Sequence, residues 1–369
     1  MKIRRVDIDA VNVRNGSSWI FVRVCTDDGL EGWGELNPSA PRRACIDEVE
    51  RIAAYALGKD PRRVEAFCAG LGPATLSRPG VHAMAALEQA LWDLFGQSVG
   101  VPVYQLLGGK CRDEQRLYAN ITRATDGLAP EAFVQSAEGA LRDGFDAVKI
   151  APFALGTDAR ERAENIERGI ECARAVRAAI GSETDLLLDC YGIYSFAEGM
   201  QIARAVESLG LYWLEEPVGD EDLAGYSRIR AESGLTIAGG ERMMLRSGFW
   251  EMVDREVMDI VMPDVTIVGG IGELKKVAAM AEARNMQISP HGPFSPLTVV
   301  SGLQASGSHP ECPILEYAWR EVPWREALIE PNERVVKGRI RLPDEPGLGA
   351  RLNMDVVAAQ RLGARITVE

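Results

Sequence analysis

Six short apolar runs in the second half of the chain each end on a residue able to ligate a cation or move a proton. Asp189 closes LLLD, Glu215 closes YWLE, Glu241 closes IAGGE, Asp264 closes IVMPD, His291 closes ISPH and Glu316 closes PILE. Successive members lie 23 to 27 residues apart. Upstream, Lys149 falls near the end of FDAVKI and Asn120 at the end of RLYAN. One acid at a strand end is ordinarily a helix N-cap. Six in phase need another explanation. Gathered on one face, carboxylates repel one another and lose hydration, so the cluster calls for a cation. Three carboxylates with open positions suit Mg²⁺, which keeps water or substrate among its ligands. No Cys/His set has zinc-like spacing.

His291 stands at the depth of the acids, next to the run that ends in Asp264. A His–Asp pair on adjacent strands is a general base whose carboxylate holds the tautomer and supports the imidazolium. His82 and His309, the other two histidines, are expected to be structural. Lys149 sits inside an apolar run, which predicts an inward ammonium. Such a set fits abstraction of a proton α to a carboxylate, where a divalent ion, Lys149 and a protonated Glu316 stabilise the enediolate.

Positioning these residues requires a particular architecture. The strands read at 116–119, 145–150, 185–188, 211–214, 235–239, 258–262, 286–289 and 312–315 alternate with amphipathic helices, which predicts a parallel (β/α) barrel. Its active site lies at the strands' C-terminal ends; an open doubly wound sheet is the rival. Before it, residues 3–13, 19–26 and 31–35 read as strands, with a turn at Asp27-Asp28-Gly29, and 43–57, 61–69 and 82–98 as helices. The boundaries expected are a capping α+β domain over 1–113 and a barrel over 114–321. The tail 322–369 returns to the cap, with 338–354 as the extended returning stretch.

Composition narrows the function. The 369 residues carry a net charge of −13, are 46% hydrophobic and 26% charged, and so exclude disorder, collagen and coiled coil. The acidic balance argues against nucleic acid and anionic membrane. No apolar run reaches the ~18–20 residues of a membrane span, and the N-terminus lacks the apolar core of a signal peptide. Seven cysteines without a C-x-x-C pair predict free thiols and a cytoplasmic location. A small-molecule substrate and a homo-oligomer are expected.

The tracts TDDGLEGWGE (26–35), ALEQALWDLFGQSVGVPVYQLLGG (86–109), YWLEEP (212–217), AGGE (238–241), MPD (262–264) and LPDEPGLG (342–349) together resemble the mandelate racemase/muconate lactonizing enzyme branch of the enolase superfamily. The resemblance implies a modified (β/α)7β TIM-type barrel under an N-terminal α+β cap. It further implies Mg²⁺ on Asp189, Glu215 and Glu241, an Asp264–His291 dyad, Glu316 near the substrate carboxylate, and a loop shaped by Glu216 and Pro217. A Lys or His base with Mg²⁺ is the pattern of that superfamily.

One departure bears on the reaction. Many members carry K-x-K at the end of strand two, but here the tract is Lys149-Ile150-Ala151. A single base does not readily racemise, whereas it suffices for elimination. The expected reaction is therefore dehydration of an acid sugar, an aldonate or aldarate, to a 2-keto-3-deoxy acid. A lactone cycloisomerase or epimerase is the alternative. Tyr191, two residues past Asp189, and protonated His291 are candidates for the leaving-group acid. The loops 15–19 and 37–42 are expected lids, with Arg42 or Arg43 available to a distal carboxylate, and 291–296 (HGPFSP) a rigid substrate wall. Gly269-Gly270-Ile271-Gly272 follows a strand and opens a helix, but Lys275 replaces the third glycine of a dinucleotide loop, so a tight turn is expected there.

Overall fold

The computed structural model describes residues 1–14, 17–37 and 42–369. The first three strands, β1 (Ile3–Asn12), β2 (Ser18–Thr26) and β3 (Glu31–Leu36), form an antiparallel meander. Gly29 takes φ 89° in the β2–β3 turn, a conformation that glycine adopts at little cost. Three helices follow: α1 (Arg42–Ala56), α2 (Val64–Gly70) and α3 (Arg78–Val99). The helix expected from residue 61 starts late because Asp60 accepts the Arg62 amide at 3.0 Å, a side-chain turn that competes with helical hydrogen bonding. The alternation in Gly32-Trp33-Gly34 has a steric origin. A Cβ on Gly34 would stand 1.9 Å from the Ala86 carbonyl oxygen, and one on Gly32 2.2 Å from that of Ala90. The strand lies flush on α3 because it lacks those carbons.

After the short α4 (Val103–Leu106) comes the barrel. Its strands are β4 (Glu114–Asn120), β5 (Ala147–Ile150), β6 (Asp185–Asp189), β7 (Trp213–Glu215), β8 (Ile237–Gly239), β9 (Ile260–Val261), β10 (Gln287–Ile288) and β11 (Leu315–Ala318). Each runs parallel to the next, and β11 pairs in parallel with β4. The β10–β11 seam is bridged by the Ile288 amide to the Glu311 carbonyl and by Ser289 Oγ to the Ile314 carbonyl, both at 2.9 Å. This closure excludes the open sheet. Seven helices alternate with the strands among the described residues: α5 (Pro130–Arg142), α6 (Ala159–Ile180), α7 (Phe196–Val206), α8 (Leu223–Ser233), α9 (Leu245–Asp254), α10 (Ile271–Glu282) and α11 (Pro296–Gly307). The last strand begins three residues later than expected from 312–315, since Pro313 has no N–H to give a ladder. Glu316 thus stands inside β11 rather than beyond its end.

The barrel interior explains how the polar residues reach the mouth. Tyr118, Ala147, Leu187, Trp213 and Ile314 belong to one fully buried inner cluster. Two residues further along the same chains stand Asn120, Lys149, Asp189, Glu215 and Glu316. Because side chains repeat with period two along a strand, the second set forms a polar layer directly above the apolar plug.

The tail contributes β12 (Ile329–Glu330), β13 (Arg339–Arg341), β14 (Arg351–Leu352), α12 (Met354–Gln360) and β15 (Ile366–Val368). The stretch 338–354 does not itself join the cap sheet. Its β13 pairs antiparallel with β4 and its β14 with β12, while Leu348 N–H donates to Asp93 of α3 at 2.9 Å. The strand that completes the cap sheet is β15, on β1. All seven cysteines are unpaired, and no helix among the described residues is long and apolar enough to cross a membrane.

Candidate active site

Asp189 and Glu215 end adjacent strands in register, and Glu241 follows β8 by two residues. One carboxylate oxygen from each lies within 4.8 Å of the others. Burial and the proximity of Glu215 and Glu241 push the Asp189 carboxyl well above its usual range. Like charges are therefore crowded at a place from which water is largely excluded. The two residues after these strand ends, Tyr191 and Glu216, hold φ of 58° and 42°. Such left-handed values are uncommon for side chains of this size and cluster at functional sites. The turn lets Tyr191 N–H donate to Asp189 Oδ1 at 2.8 Å, while Trp213, two residues before Glu215 on the same strand face, donates its indole N–H to Glu215 Oε2 at 2.9 Å.

Lys149 provides the first cationic answer. Its ammonium lies 2.8 Å from Glu215 Oε1, 2.7 Å from Glu316 Oε1 and 3.8 Å from Asp189 Oδ2. Burial opposes its charge, but Glu215 and Glu316 outweigh that and hold its pKa well above the ordinary lysine value. Glu316 also accepts from Asn120 Nδ2 at 2.9 Å and from the Gly292 amide at 3.0 Å. Burial alone would raise its carboxyl, yet Lys149 and His291 bring it below the usual range. Three protein donors, from Lys149, Asn120 and Gly292, thus converge on the carboxyl expected to donate to substrate.

His291 follows β10 with Nδ1 2.6 Å from Asp264 Oδ2. The other Asp264 oxygen accepts from the Thr266 amide at 2.7 Å and the Thr266 hydroxyl at 2.5 Å, which fixes the carboxylate that fixes the ring. His291 Nε2 faces the acids, 3.0 Å from Glu241 and 3.8 Å from Glu316. Burial disfavours the imidazolium, but Glu241 and Glu316 raise its pKa well above that of a free histidine. Phe294 packs edge-on against the ring, with centroids 5.9 Å apart, and its carbonyl is held by buried Arg325 of the tail at 2.6 Å.

These groups open into one cavity of about 800 Å³ whose lining includes Lys149, Asp189, Tyr191, Glu241 and His291, closed on one side by Pro293 and Phe294. The expected wall is thus in place. Of the expected lids, Asn15, Gly16 and residues 38–41 lie outside the described residues. Ser17, Ser18, Asn37 and Arg42 line the cavity, whereas Trp19 is core, 1% exposed and packed edge-on against Trp324. Ala151 is buried, with its amide donating to Thr122 Oγ1 at 3.0 Å.

Sequence reasoning did not single out Trp213, Thr266, Arg242 or Arg325. Trp213 was accessible through strand period, and Thr266 through the D-x-T spacing of a side-chain turn. Arg325 carried no local signal. Arg242, whose guanidinium pairs with Glu216 and lies 3.3 Å from Glu241, also holds the Tyr191 carbonyl at 2.8 Å. The Gly269–Gly272 turn, with φ of 117° and 107° at its first two glycines, is tight as expected. The amides of Ile271 and Gly272 at the start of α10 both donate at 2.7 Å to Glu88 of α3, and Lys275 is spent on Ser308. His82 is fully buried and its ring nitrogens have no hydrogen-bond partner among the described residues; burial, helped by Arg78, lowers its pKa to about 4.

An acid triad that could hold a metal ion beside a His–Asp dyad, at the C-terminal mouth of a capped barrel, defines a carbon-acid enzyme of the TIM-barrel class. Residues 4–108 match the family model "Mandelate racemase / muconate lactonizing enzyme, N-terminal domain", and residues 132–356 match "Enolase C-terminal domain-like". The chain belongs to the mandelate racemase/muconate lactonizing enzyme branch of the enolase superfamily. It is 31% identical over 357 residues to the D-gluconate dehydratase of Thermoproteus tenax, covering 95% of this chain and 71% of that one. It is 29% identical to the D-xylonate dehydratase of Haloferax volcanii (96% and 88% covered) and 31% identical to the D-galactarolactone cycloisomerase of Agrobacterium fabrum (93% and 91%). The crystal structure of a mandelate racemase/muconate lactonizing enzyme from Jannaschia sp. CCS1 superposes with a TM-score of 0.90 at 29% identity, covering 99% and 98% of the two chains.

Proposed function

We propose that the protein is a Mg²⁺-dependent acid-sugar dehydratase, converting an aldonate or aldarate to a 2-keto-3-deoxy acid and water. The observation that carries this reading is a lone imidazole base, His291 on Asp264, aimed at the acid triad, while Ala151 stands where a second lysine base would be. The names of the dehydratases similar to this chain support it. We divide the chain into a cap (1–113, with 322–369) and a barrel (114–321), and place it in the cytoplasm, a reading supported by its unpaired thiols.

A cation on Asp189, Glu215 and Glu241 would neutralise the charge that builds on the substrate carboxylate as its α-carbon is deprotonated. The donors fit that ion: one carboxylate oxygen from each of three acids, all within 4.8 Å of one another. His291 Nε2 takes the proton from C2, and Asp264 stabilises the imidazolium through Nδ1. The electron pair left on C2 forms the C2–C3 double bond as the C3–O bond breaks. The departing hydroxide leaves as water with a proton from the imidazolium or the Tyr191 phenol, and the enol tautomerises to the ketone. Lys149 holds Glu215 and Glu316 in place through ion pairs at 2.8 and 2.7 Å. The same base permits isomerisation, and a cycloisomerase stands among the similar proteins; formation of a 2-keto acid separates the two.

The test is a panel of aldonates and aldarates in deuterated buffer with Mg²⁺. Active members release a 2-keto acid, and His291→Asn lowers both product and C2 exchange by at least ~10³-fold. Undiminished exchange in that variant removes His291 as the base. Tyr191→Phe lowers turnover without abolishing exchange if the phenol is the leaving-group acid.

A further inference from the structure

The cavity lining includes five cationic side chains: Lys149, Arg242, Arg123, Arg42 and Arg78. Three of them are answered by acids of the protein. Lys149 pairs with Glu215 and Glu316, Arg242 with Glu216 and Glu241, and Arg123 with Glu321 at 2.7 Å. The remaining two are not. Among the described residues Arg42 makes no ion pair or hydrogen bond, and Arg78 makes a single hydrogen bond, to the Arg242 carbonyl at 3.2 Å, with no carboxylate in ion-pair range. Both side chains are exposed at the cavity; Asp220 is near enough to Arg78 to act on it through space, but neither arginine is pinned in an ion pair.

Their place in the fold sharpens the point. Arg42 is the first residue of α1 and Arg78 the first of α3, and neither helix has an acid in its first turn. Cations are unfavourable at a helix N-terminus, where anions are preferred. The local rule is broken at both cap helices that reach the cavity. The neighbouring Arg43 shows the ordinary alternative, pairing with Asp47 at 2.6 Å on the surface.

Resting on the function proposed above, we infer that Arg42 and Arg78 bind a second anionic group of the substrate, remote from the reacting carbon, and that this group is a carboxylate. The protein is then selective for aldarates over aldonates. The acid triad and Lys149 hold the reacting end, while two unspent guanidinia, each able to grip a carboxylate through paired N–H bonds, hold the other. Arg43 does not take part.

The experiment compares kcat/KM for 2-keto acid formation, with Mg²⁺, on matched aldonates, aldarates and 6-phosphoaldonates of the same configuration. The expected result is an aldarate-over-aldonate preference on the order of 10- to 100-fold, the range of a charge-assisted pair. Arg42→Gln and Arg78→Gln each cut that ratio by about tenfold, chiefly through KM, while Arg43→Gln leaves it unmoved. An equal or greater efficiency on aldonates, a ratio untouched by Arg42→Gln and Arg78→Gln, or a preference for the phosphorylated acids over the aldarates would each overturn the inference and leave the dehydratase reading standing. Absence of both product and C2 exchange with every acid would bring down the dehydratase reading, and this inference with it.

Discussion

Two sets of three carboxylates lie in this molecule, one at the barrel mouth, where Glu241 is half-buried, and one fully buried along the seam between cap and barrel. At the mouth, Asp189, Glu215 and Glu241 face one another, with the Lys149 ammonium and the His291 ring against them. Along the seam, each carboxylate is alone among neutral donors. Glu35 accepts from the hydroxyls of Ser295 and Thr298. Glu88 accepts from two amides of α10 and from Trp92. Asp93 accepts from the amides of Trp33 and Leu348 and from Gln97. Satisfied buried acceptors of this kind lock elements together, whereas mutually facing acids keep a demand for charge that a ligand must meet. The seam is architecture; the mouth is chemistry.

The contrast breaks most visibly at Lys149. Lys149→Met leaves Glu215 and Glu316 buried without their shared cation, which is expected to cost ~3–5 kcal/mol. Thermal unfolding should show a large loss in chelator and a partial recovery with Mg²⁺. A loss that Mg²⁺ does not touch would mean that the mouth is no metal site.

A smaller effect is expected at the seam. Glu88→Gln keeps the volume but cannot accept both α10 amides, so stability should fall by ~1–3 kcal/mol. No recovery with Mg²⁺ is expected, and kcat should change little. A collapse of kcat at unchanged stability would place Glu88 with the chemistry instead.

The smallest effect is in the pH dependence. Burial raises Glu35, Glu88 and Asp93 each to about 7. Between the unfolded values near 4 and that point the folded chain holds more protons than the unfolded one. Their contribution is therefore full at low pH and is lost as pH rises through about 7. His82, lowered to about 4, acts in the opposite sense: its contribution is full above the unfolded value of 6.5 and is lost as pH falls towards 4. Unfolding midpoints of parent and Glu88→Gln from pH 4.5 to 7.5 should show a shallower decline in the variant. Parallel curves would contradict a seam carboxyl that titrates near neutrality.

Much of the mouth was legible because strand period and barrel topology are both regular. Once Asp189, Glu215 and Glu241 recur in phase, a closed parallel barrel aims them at one face. The seam was legible only as a tract. The stretch 86–109 marked family membership, but nothing local showed that Glu88 takes the α10 amides or that Asp93 holds Leu348, partners 183 and 255 residues away. The surroundings of Glu316 were not legible either, since Lys149, Asn120 and Gly292 converge on it from three other segments.

The sequence by itself determined which side chains stand at the strand ends, the barrel that gathers them, and the single imidazole among them. Periodicity is local and survives without coordinates. Only the tertiary structure decided the donors around Glu316, the pairing of Lys149, the occupation of the glycine turn by Glu88, and which of Arg42 and Arg43 faces the cavity. Those outcomes depend on distances between segments far apart in the chain, and electrostatic energy depends on distance and burial rather than on order along the polymer.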